Sequence, residues 1–180
     1  MEAMREAIRR HPICLSFLLM LLVALPLMLS PIGYFPIHPL GGERIIVMDG
    51  LFSYDMSGVE QVFARLGAEG MAIYARFHIG DCLFAIAYGL FGFAVAKTHI
   101  GKRSRLYCIL ISALPSVFDI SENIAIRVLA AQYPDLRNAP VLAASTFSSL
   151  KWMALVLWLV SVVAAALLDR RRRGQARAGG

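Results

Sequence analysis

The sequence predicts an all-α polytopic membrane protein: a bundle of four transmembrane helices with a short amphipathic helix in the first extracytoplasmic loop. Of its 180 residues, 58% are hydrophobic and only 17% are charged, whereas soluble domains carry about 25% charged residues. The mean hydropathy is +0.65. Four apolar runs are each long enough to cross a bilayer, and basic residues flank them. The length fits one membrane domain, residues 1–180.

The four spans are predicted over residues 13–31, 77–96, 106–129 and 146–168. A basic start followed by an apolar run is also typical of a signal peptide. A retained helix is favoured, because the first run reaches about 18–19 residues and no Ala-x-Ala-like cleavage site follows it. Pro26 is expected to kink this helix, which leaves a backbone carbonyl for neighbouring helices to satisfy.

The segment between the first two spans contains a turn signal and one helical pattern. Asp49-Gly50 marks a turn. Ser57 and Glu60 have the spacing of a capping box with Ser57 as the N-cap. An apolar stripe with helical spacing follows and stops at Gly67. We predict a short amphipathic helix that lies on the membrane surface or caps the bundle. Its apolar residues are Val59, Val62, Phe63 and Leu66.

Small residues in the apolar runs are read as packing residues. Ala85 and Gly89 lie four residues apart in the second span, a spacing that allows another helix to approach closely. The three cysteines, Cys14, Cys82 and Cys108, form neither an even set nor a Cys-x-x-Cys motif, so no disulfide framework is indicated. No cofactor is predicted.

The distribution of basic residues predicts the orientation. The N-terminus, the loop between the second and third spans and the C-terminal tail carry 3, 4 and 5 Lys/Arg residues, which is twelve of the eighteen. Cytoplasmic segments next to membrane spans are enriched in Lys and Arg. We therefore predict a multi-pass protein of the cell inner (plasma) membrane with both termini in the cytoplasm.

The third span holds a polar motif, Asp119-Ile-Ser-Glu122-Asn123. Charged groups at such depth are costly and are usually paired or functional. Ser112, Ser116, Asp119 and Asn123 recur on one helical stripe. This stripe is expected to face the bundle interior, because the alternative is lipid.

Polar residues of other spans share the depth of this motif. At about 1.5 Å per residue, Asp119 lies near the midplane, and Asp81 and Lys151 lie about 6 Å inside the outer surface. A polar cluster from three helices is therefore predicted in the outer half of the membrane. The candidate binding residues are Asp81, Asp119, Glu122, Asn123, Lys151, His78, Tyr88 and Ser116.

Two of these residues have alternative interpretations. Lys151 either pairs with the carboxylates or extends to the headgroups beside Trp152, an interface residue. His78 and Asp81, three residues apart, could orient each other, and with Glu122 they could form a metal site. A hydrogen-bonded histidine is favoured and no metal is predicted, because no second histidine lies in a span.

Several short sequence features resemble those of a known group of proteins. They are Asp-x-x-Glu-Asn at residues 119–123, Asp81 early in the second span, Ser-Ser-Leu-Lys-Trp at residues 148–152, and residues 66–74. The chain resembles small bacterial four-helix integral membrane proteins of unassigned function that carry an intramembrane Asp-x-x-Glu-Asn motif. The resemblance covers most of the chain after residue 50 and implies the fold but no activity. The acidic-lined sites of sterol-isomerase-like and sigma-2-like membrane proteins are a looser similarity, from which no residue is carried over.

The favoured function is binding or transport of a small cationic or amphipathic molecule by the acidic cluster. Transport through so narrow a bundle would require a homo-oligomer. This hypothesis predicts that Asp119→Asn and Glu122→Gln abolish binding while the protein still folds. The expected partners are the lipid bilayer and a cationic or lipid-like ligand. Nucleic acid is not predicted, because no basic patch is interleaved with exposed aromatics.

Two other classes fit the same residues. An enzyme of lipid or isoprenoid metabolism would use Asp119 or Glu122 as acid or base, with Lys151 or Asn123 holding an anion. No nucleophile motif or phosphate-binding loop specifies a reaction. A structural or assembly subunit of a membrane complex would use the ion network only to fix helix register.

Overall fold

The computed structural model describes residues 11–29 and 47–178, and within these ranges the chain is helical and contains no strand. Helix α1 spans Pro12–Leu29, α2 spans Met56–His99, α3 spans Lys102–Gln132 and α4 spans Asn138–Ala178. A short 3₁₀ helix, Met48–Gly50, precedes α2. The predicted end of the first span at residues 30–31 lies outside the described residues.

Four helices are long and apolar enough to cross a membrane, which confirms the predicted helical architecture of a multi-pass membrane protein. Helices α2, α3 and α4 extend beyond the predicted spans at both ends. Helix α2 has 44 residues, and its part after residue 67 alone is about 48 Å long at 1.5 Å per residue, whereas the hydrocarbon core of a bilayer is about 30 Å thick. Hydropathy detects only the apolar part of such a helix. The outward faces carry exposed apolar side chains such as Leu22 and Val156, as lipid contact requires.

Helix α2 is interrupted at Gly67, which has φ 59° and ψ −172°. Residues with a Cβ rarely adopt this conformation, so glycine is needed there. In the part before the interruption, Val59 and Phe63 are fully buried. They share a hydrophobic core with Leu129 of α3 and Val141 of α4. This part of α2 therefore packs against the ends of α3 and α4.

The start of α2 corrects one sequence prediction. The N-cap is Asp55 rather than Ser57: the Asp55 carboxylate accepts a hydrogen bond from the backbone N–H of Gly58 at 2.8 Å. The Ser57 hydroxyl donates to the same carboxylate at 2.8 Å. A charged acceptor two residues earlier binds the free N–H groups of the first turn more strongly than the serine hydroxyl can.

The helices pack in chain order. Helix α1 lies against α2, α2 against α3, and α3 against α4, with a smaller contact between α2 and α4. Within the described residues, α1 has no comparable packing against α3 or α4. Among the described residues, the bundle is therefore open between α1 and α4. We call the end of the bundle that carries residues 47–55 the loop end.

Helices α2 and α3 lie close together at two glycines of α2, Gly89 and Gly92. A Cβ added to Gly92 would lie 2.9 Å from the Cβ of Ser112, and one added to Gly89 would overlap the hydroxyl of Ser116. Ala85, one turn before Gly89, is fully buried. The predicted small-residue face of the second span is thus the face on which α3 packs.

Candidate functional site

Lys151 is the centre of a buried ion network. Its Nζ lies 2.7 Å from Glu122 Oε2 and 3.2 Å from Asp119 Oδ1, and the residue is only 5% exposed. The ammonium donates to Asp119, whereas the contact with Glu122 is an ion pair without hydrogen-bond alignment. Of the two interpretations of Lys151, pairing with the carboxylates is therefore the correct one. The neighbouring Trp152 donates its Nε1–H to the carbonyl of Leu51 at 3.1 Å.

Neutral side chains donate further hydrogen bonds to the carboxylates. The hydroxyl of Tyr88 donates to Asp119 Oδ2 at 2.9 Å, and Tyr54 donates to Glu122 Oε1 at 3.4 Å. Asn123 Nδ2 donates to Asp81 Oδ2 at 2.9 Å. The polar stripe of α3 is buried, as predicted; its members are Ser112, Ser116, Asp119 and Asn123.

The 3₁₀ helix inserts a further carboxylate into the loop end. Asp49 accepts a hydrogen bond from the Tyr74 hydroxyl at 2.7 Å, and its Oδ1 lies 3.2 Å from His78 Nε2. His78 Nδ1 lies 2.7 Å from the carbonyl of Tyr74. Because a carbonyl oxygen only accepts, Nδ1 carries a proton and Nε2 faces the carboxylate. His78 is thus oriented by Asp49 and Tyr74, and not by Asp81.

The chain after Asp49 is held on α4 by hydrogen bonds at successive residues. The hydroxyls of Ser148 and Ser149 donate to the carbonyls of Leu51 and Phe52 at 2.6 and 2.9 Å. Lys151 Nζ donates to the carbonyl of Asp49 at 3.2 Å. These bonds provide acceptor carbonyls of the segment with donors from α4. The segment therefore closes the loop end over the ion network.

The surroundings of Asp49 determine its protonation state. Burial alone would raise the pKa of this carboxyl, but the facing His78, the hydrogen bond from Tyr74 and the nearby Lys151 ammonium lower it from 3.8 to about 2. Burial and the Glu122 carboxylate raise the pKa of the Tyr54 hydroxyl. Asp49 is therefore an anion and Tyr54 a neutral donor at physiological pH.

We expect Asp49→Asn to lower the free energy of unfolding by about 2 kcal/mol near pH 5, since each pKa unit corresponds to about 1.4 kcal/mol. The folded-state pKa lies below the unfolded one, so this stability is present above about pH 4 and is lost as the pH falls towards 2. The difference between wild type and variant should shrink over that range in thermal unfolding of the detergent-solubilised protein. Asp135→Asn, the same change in an exposed loop, is the control. A difference that stays constant down to pH 2 would contradict this account.

A cavity of about 550 Å³ lies beside the ion network, between the four helices. Pockets for small molecules usually measure about 300–1,000 Å³ and are mostly apolar with a few polar groups. Aromatic and other apolar side chains form most of this wall: Met20, Met28, Phe77, Phe84, Phe91, Pro115, Trp152, Leu155 and Trp158. The ionisable and hydroxyl groups of the wall are Asp49, Asp81, Tyr88, Ser112, Asp119 and Lys151.

The predicted candidate residues fall into two groups, those that line the cavity and those that do not. Asp81, Tyr88, Asp119 and Lys151 line it. The other four are buried but do not line it: Glu122, Asn123, His78 and Ser116. Glu122 and Asn123 are 0% exposed and lie behind the wall.

Carboxyl groups outnumber basic groups around the cavity. Four buried or half-buried carboxylates, Asp49, Asp81, Asp119 and Glu122, face one lysine and one histidine. Among the described residues, no basic side chain lies within ion-pairing distance of Asp81, and Asn123 is its hydrogen-bond partner. Asp81 is therefore the carboxylate of the wall that is best placed to meet a cation from the cavity. In the described part of the chain, no cluster of three or more His, Cys, Asp or Glu residues is arranged to hold a metal ion.

Several residues of the site were not predicted as site residues. For Asp49, the Asp-Gly pattern predicts only a turn. The aromatic wall has a sequence signal: Phe77, Phe84 and Phe91 recur every seven residues, which places them on one face of α2. Asp81 and Tyr88 lie four residues after Phe77 and Phe84 and share that face. This combined stripe of aromatic and polar residues marks the cavity side of α2.

The chain has no match among models of known protein families, among curated proteins or among solved structures. The class of the protein therefore rests on its fold and its cavity.

Proposed function

We propose that the protein is a receptor or carrier in the cell inner membrane that binds a small amphipathic cation inside its helix bundle. The observation that carries this proposal is the composition of the cavity wall: it is apolar and aromatic except for three carboxyl groups and one lysine, which are grouped near the loop end. An amphipathic cation matches both parts of such a wall. The distribution of Lys and Arg supports cytoplasmic termini, which puts the loop end on the outer side.

The charged head of the ligand binds at Asp81 and Asp119. Lys151 is shared between Asp119 and Glu122, so its single positive charge cannot balance both carboxylates. Asp81 has only an amide partner. A cation placed between Asp81 and Asp119 neutralises the excess charge, and in these surroundings of low dielectric constant the attraction is strong. A proton on a ligand amine would provide such a cation.

The apolar part of the ligand lies along the aromatic residues of α2 and α4. Phe84 and Phe91 of α2 and Leu155 and Trp158 of α4 all line the cavity. Burying an apolar chain against them contributes about 0.8 kcal/mol per CH₂ group. Because the described part of the bundle is open between α1 and α4, the proposed route of the ligand to the cavity is from within the bilayer. A homo-oligomer is not required for this binding, although transport would still need one.

The test is binding of N,N-dimethyldodecylamine to the protein in lipid nanodiscs, with protein-free nanodiscs subtracted. We expect saturable binding of one molecule per chain and a loss of at least about tenfold in affinity for Asp81→Asn, because removing one partner of a buried charge pair costs about 2–5 kcal/mol. Asp135→Asn, an equal chemical change outside the cavity, should bind as wild type does. Equal affinity of Asp81→Asn and wild type, with both proteins folded, would rule out this function.

The positions of Glu122 and Asn123 favour a structural role for these two residues within the same site. Both are fully buried behind the cavity wall, and they hold Lys151 and Asp81 in position. Asp81 and Asp119 therefore bind the ligand, whereas Glu122 and Asn123 fix the helix register. An assembly subunit would need only the second role. An enzyme of lipid or isoprenoid metabolism stays a prediction, and an altered lipid profile in a deletion strain would favour it.

A further inference from the structure

Asp81 differs from the other carboxyl groups around the cavity in the kind of partner it has. The other three each lie within ion-pairing distance of a basic side chain, either Lys151 or His78. Asp81 is only 9% exposed, and among the described residues it has no such basic partner. Its hydrogen-bond partner is neutral, the Nδ2 group of Asn123 at 2.9 Å. Asp81 is therefore a buried carboxyl group without a cation.

The charges around Asp81 do not replace the missing partner. Both basic side chains near it, Lys151 and His78, are already in contact with other carboxylates. Helix α1, residues 12–29, has no charged side chain. The titratable groups that act on Asp81 from the other elements and from its own helix are Asp119 of α3, Asp49 of the 3₁₀ helix, Lys151 of α4, and His78, Cys82 and Tyr88 of α2. An ionised Asp81 would thus be a buried negative charge beside other negative charges.

The amide that faces Asp81 lacks a hydrogen-bond donor. Asn123 Nδ2 donates to Asp81, but Asn123 Oδ1 is buried and has no donor among the described residues. An ionised carboxylate only accepts hydrogen bonds, whereas a carboxylic acid also donates one. The ionised pair therefore has more buried acceptors than donors, and a proton on Asp81 adds a donor to the pair.

The position of Asp81 in the cavity wall decides what can neutralise it. Its neighbours on the same face of α2, Phe77 and Phe84, are aromatic and also line the cavity. An unpaired carboxylate in such surroundings is so costly that the group is usually neutralised instead. Two species can do this at Asp81: a proton from water, or the ammonium group of a ligand in the cavity. They compete for the same carboxyl group.

We infer that Asp81 carries a proton while the cavity is empty and releases it when the cation binds, so that one cation is exchanged for one proton. The inference rests on the proposed function and adds proton coupling to it. The O–H bond of Asp81 breaks, the proton passes to water, and the carboxylate that forms pairs with the ammonium. The charge of the site is the same before and after. A carrier of this kind is a cation–proton exchanger, and a proton gradient across the membrane drives its ligand.

The experiment counts the protons released when dodecyltrimethylammonium binds to the protein in nanodiscs. This probe has a fixed charge, so it neither takes up nor releases a proton itself. Calorimetric titrations in buffers of different ionisation enthalpy should give about one proton released per bound cation near pH 6. Since the proton competes with the probe, the affinity should fall by up to about tenfold for each unit by which the pH is lowered. Asp135→Asn should release as many protons as wild type does.

Infrared spectroscopy of the empty protein locates the proton without any ligand. A protonated carboxyl group has a C=O stretching band that a carboxylate lacks. The difference spectrum between wild type and Asp81→Asn should contain this band, and dodecyltrimethylammonium should weaken it in wild type. Asp81→Asn has the size of the protonated acid and keeps a neutral partner for Asn123, so this variant is expected to fold.

Binding that depends on Asp81 but releases no proton and does not vary with pH would overturn the inference and leave the proposed function intact. Equal proton release by wild type and Asp81→Asn would also overturn it, because the proton would then come from another group. The same holds if the band of a protonated Asp81 is absent from the empty protein. If wild type shows no saturable binding of the probe, the proposed function is refuted, and the exchange with it.

Discussion

Replacing Lys151 by methionine is expected to lower the free energy of unfolding by about 3–5 kcal/mol, the usual cost of removing one partner of a buried ion pair. The substitution leaves Asp119 and Glu122 without their cation and removes the bond from Nζ to the carbonyl of Asp49. The two carboxylates then repel each other within apolar surroundings. Unfolding by titration with dodecyl sulfate in mixed micelles measures the change.

Two variants make this prediction specific to the network. Lys151→Met combined with Glu122→Gln removes one unpaired charge and should recover part of the lost stability, because coupled sites are not additive. Lys97→Met changes an exposed lysine outside the network and should cost less than about 0.5 kcal/mol. A cost for Lys151→Met no larger than that for Lys97→Met would show that Lys151 does not stabilise the fold.

The second large effect is expected from Gly92→Ala, which should lower the free energy of unfolding by about 3 kcal/mol, near the upper end of the range for overpacking. The added Cβ would lie 2.9 Å from the Cβ of Ser112. Because that carbon is fixed to the backbone of α3, it cannot move away by a change of rotamer, and the two helices must separate. The same shift would alter the cavity wall at Trp158.

A compensating variant checks the cause of this effect. Gly92→Ala combined with Ser112→Gly removes the overlapping carbon and should restore most of the stability. Gly58→Ala is the matched control, since its added Cβ would lie 3.4 Å from the nearest atom, an ordinary contact. Similar costs for Gly92→Ala and Gly58→Ala, or no recovery in the double variant, would contradict the close approach of α2 and α3.

The main features of the ion network follow from the sequence because they depend on depth and helical spacing. Hydropathy located four apolar runs, and the rise per residue placed Asp119 and Lys151 in the same half of the membrane. A buried charge needs a partner, so residues from different helices at similar depth were expected to meet. The distances from Lys151 to Asp119 and Glu122 agree with that reasoning.

Asp49 shows what spacing and depth do not predict. Its position depends on how a loop returns over the bundle, and no periodicity encodes that return. The local signal was limited to Val47 and Met48, two apolar residues that are fully buried in the structure. Without Asp49, the partner of His78 could not be identified from the sequence, and Asp81 was the nearest candidate in the chain.

The cavity itself depends on packing between helices rather than on any one helix. The seven-residue recurrence of Phe77, Phe84 and Phe91 predicts a common face, but not whether another helix fills the space beside it. That space exists because α1 packs on α2 without comparable packing on α3 or α4 among the described residues.

The most direct test of the central claim, that a cation binds within the bundle, is a structure of the protein in nanodiscs with an ω-brominated dodecyl dimethylamine. We expect density for the amine between Asp81 and Asp119 and bromine density in the inner part of the cavity, beyond Phe91. Both should disappear in the Asp81→Asn variant. Bromine density confined to the lipid-facing surface, with an empty cavity in wild type, would contradict the account.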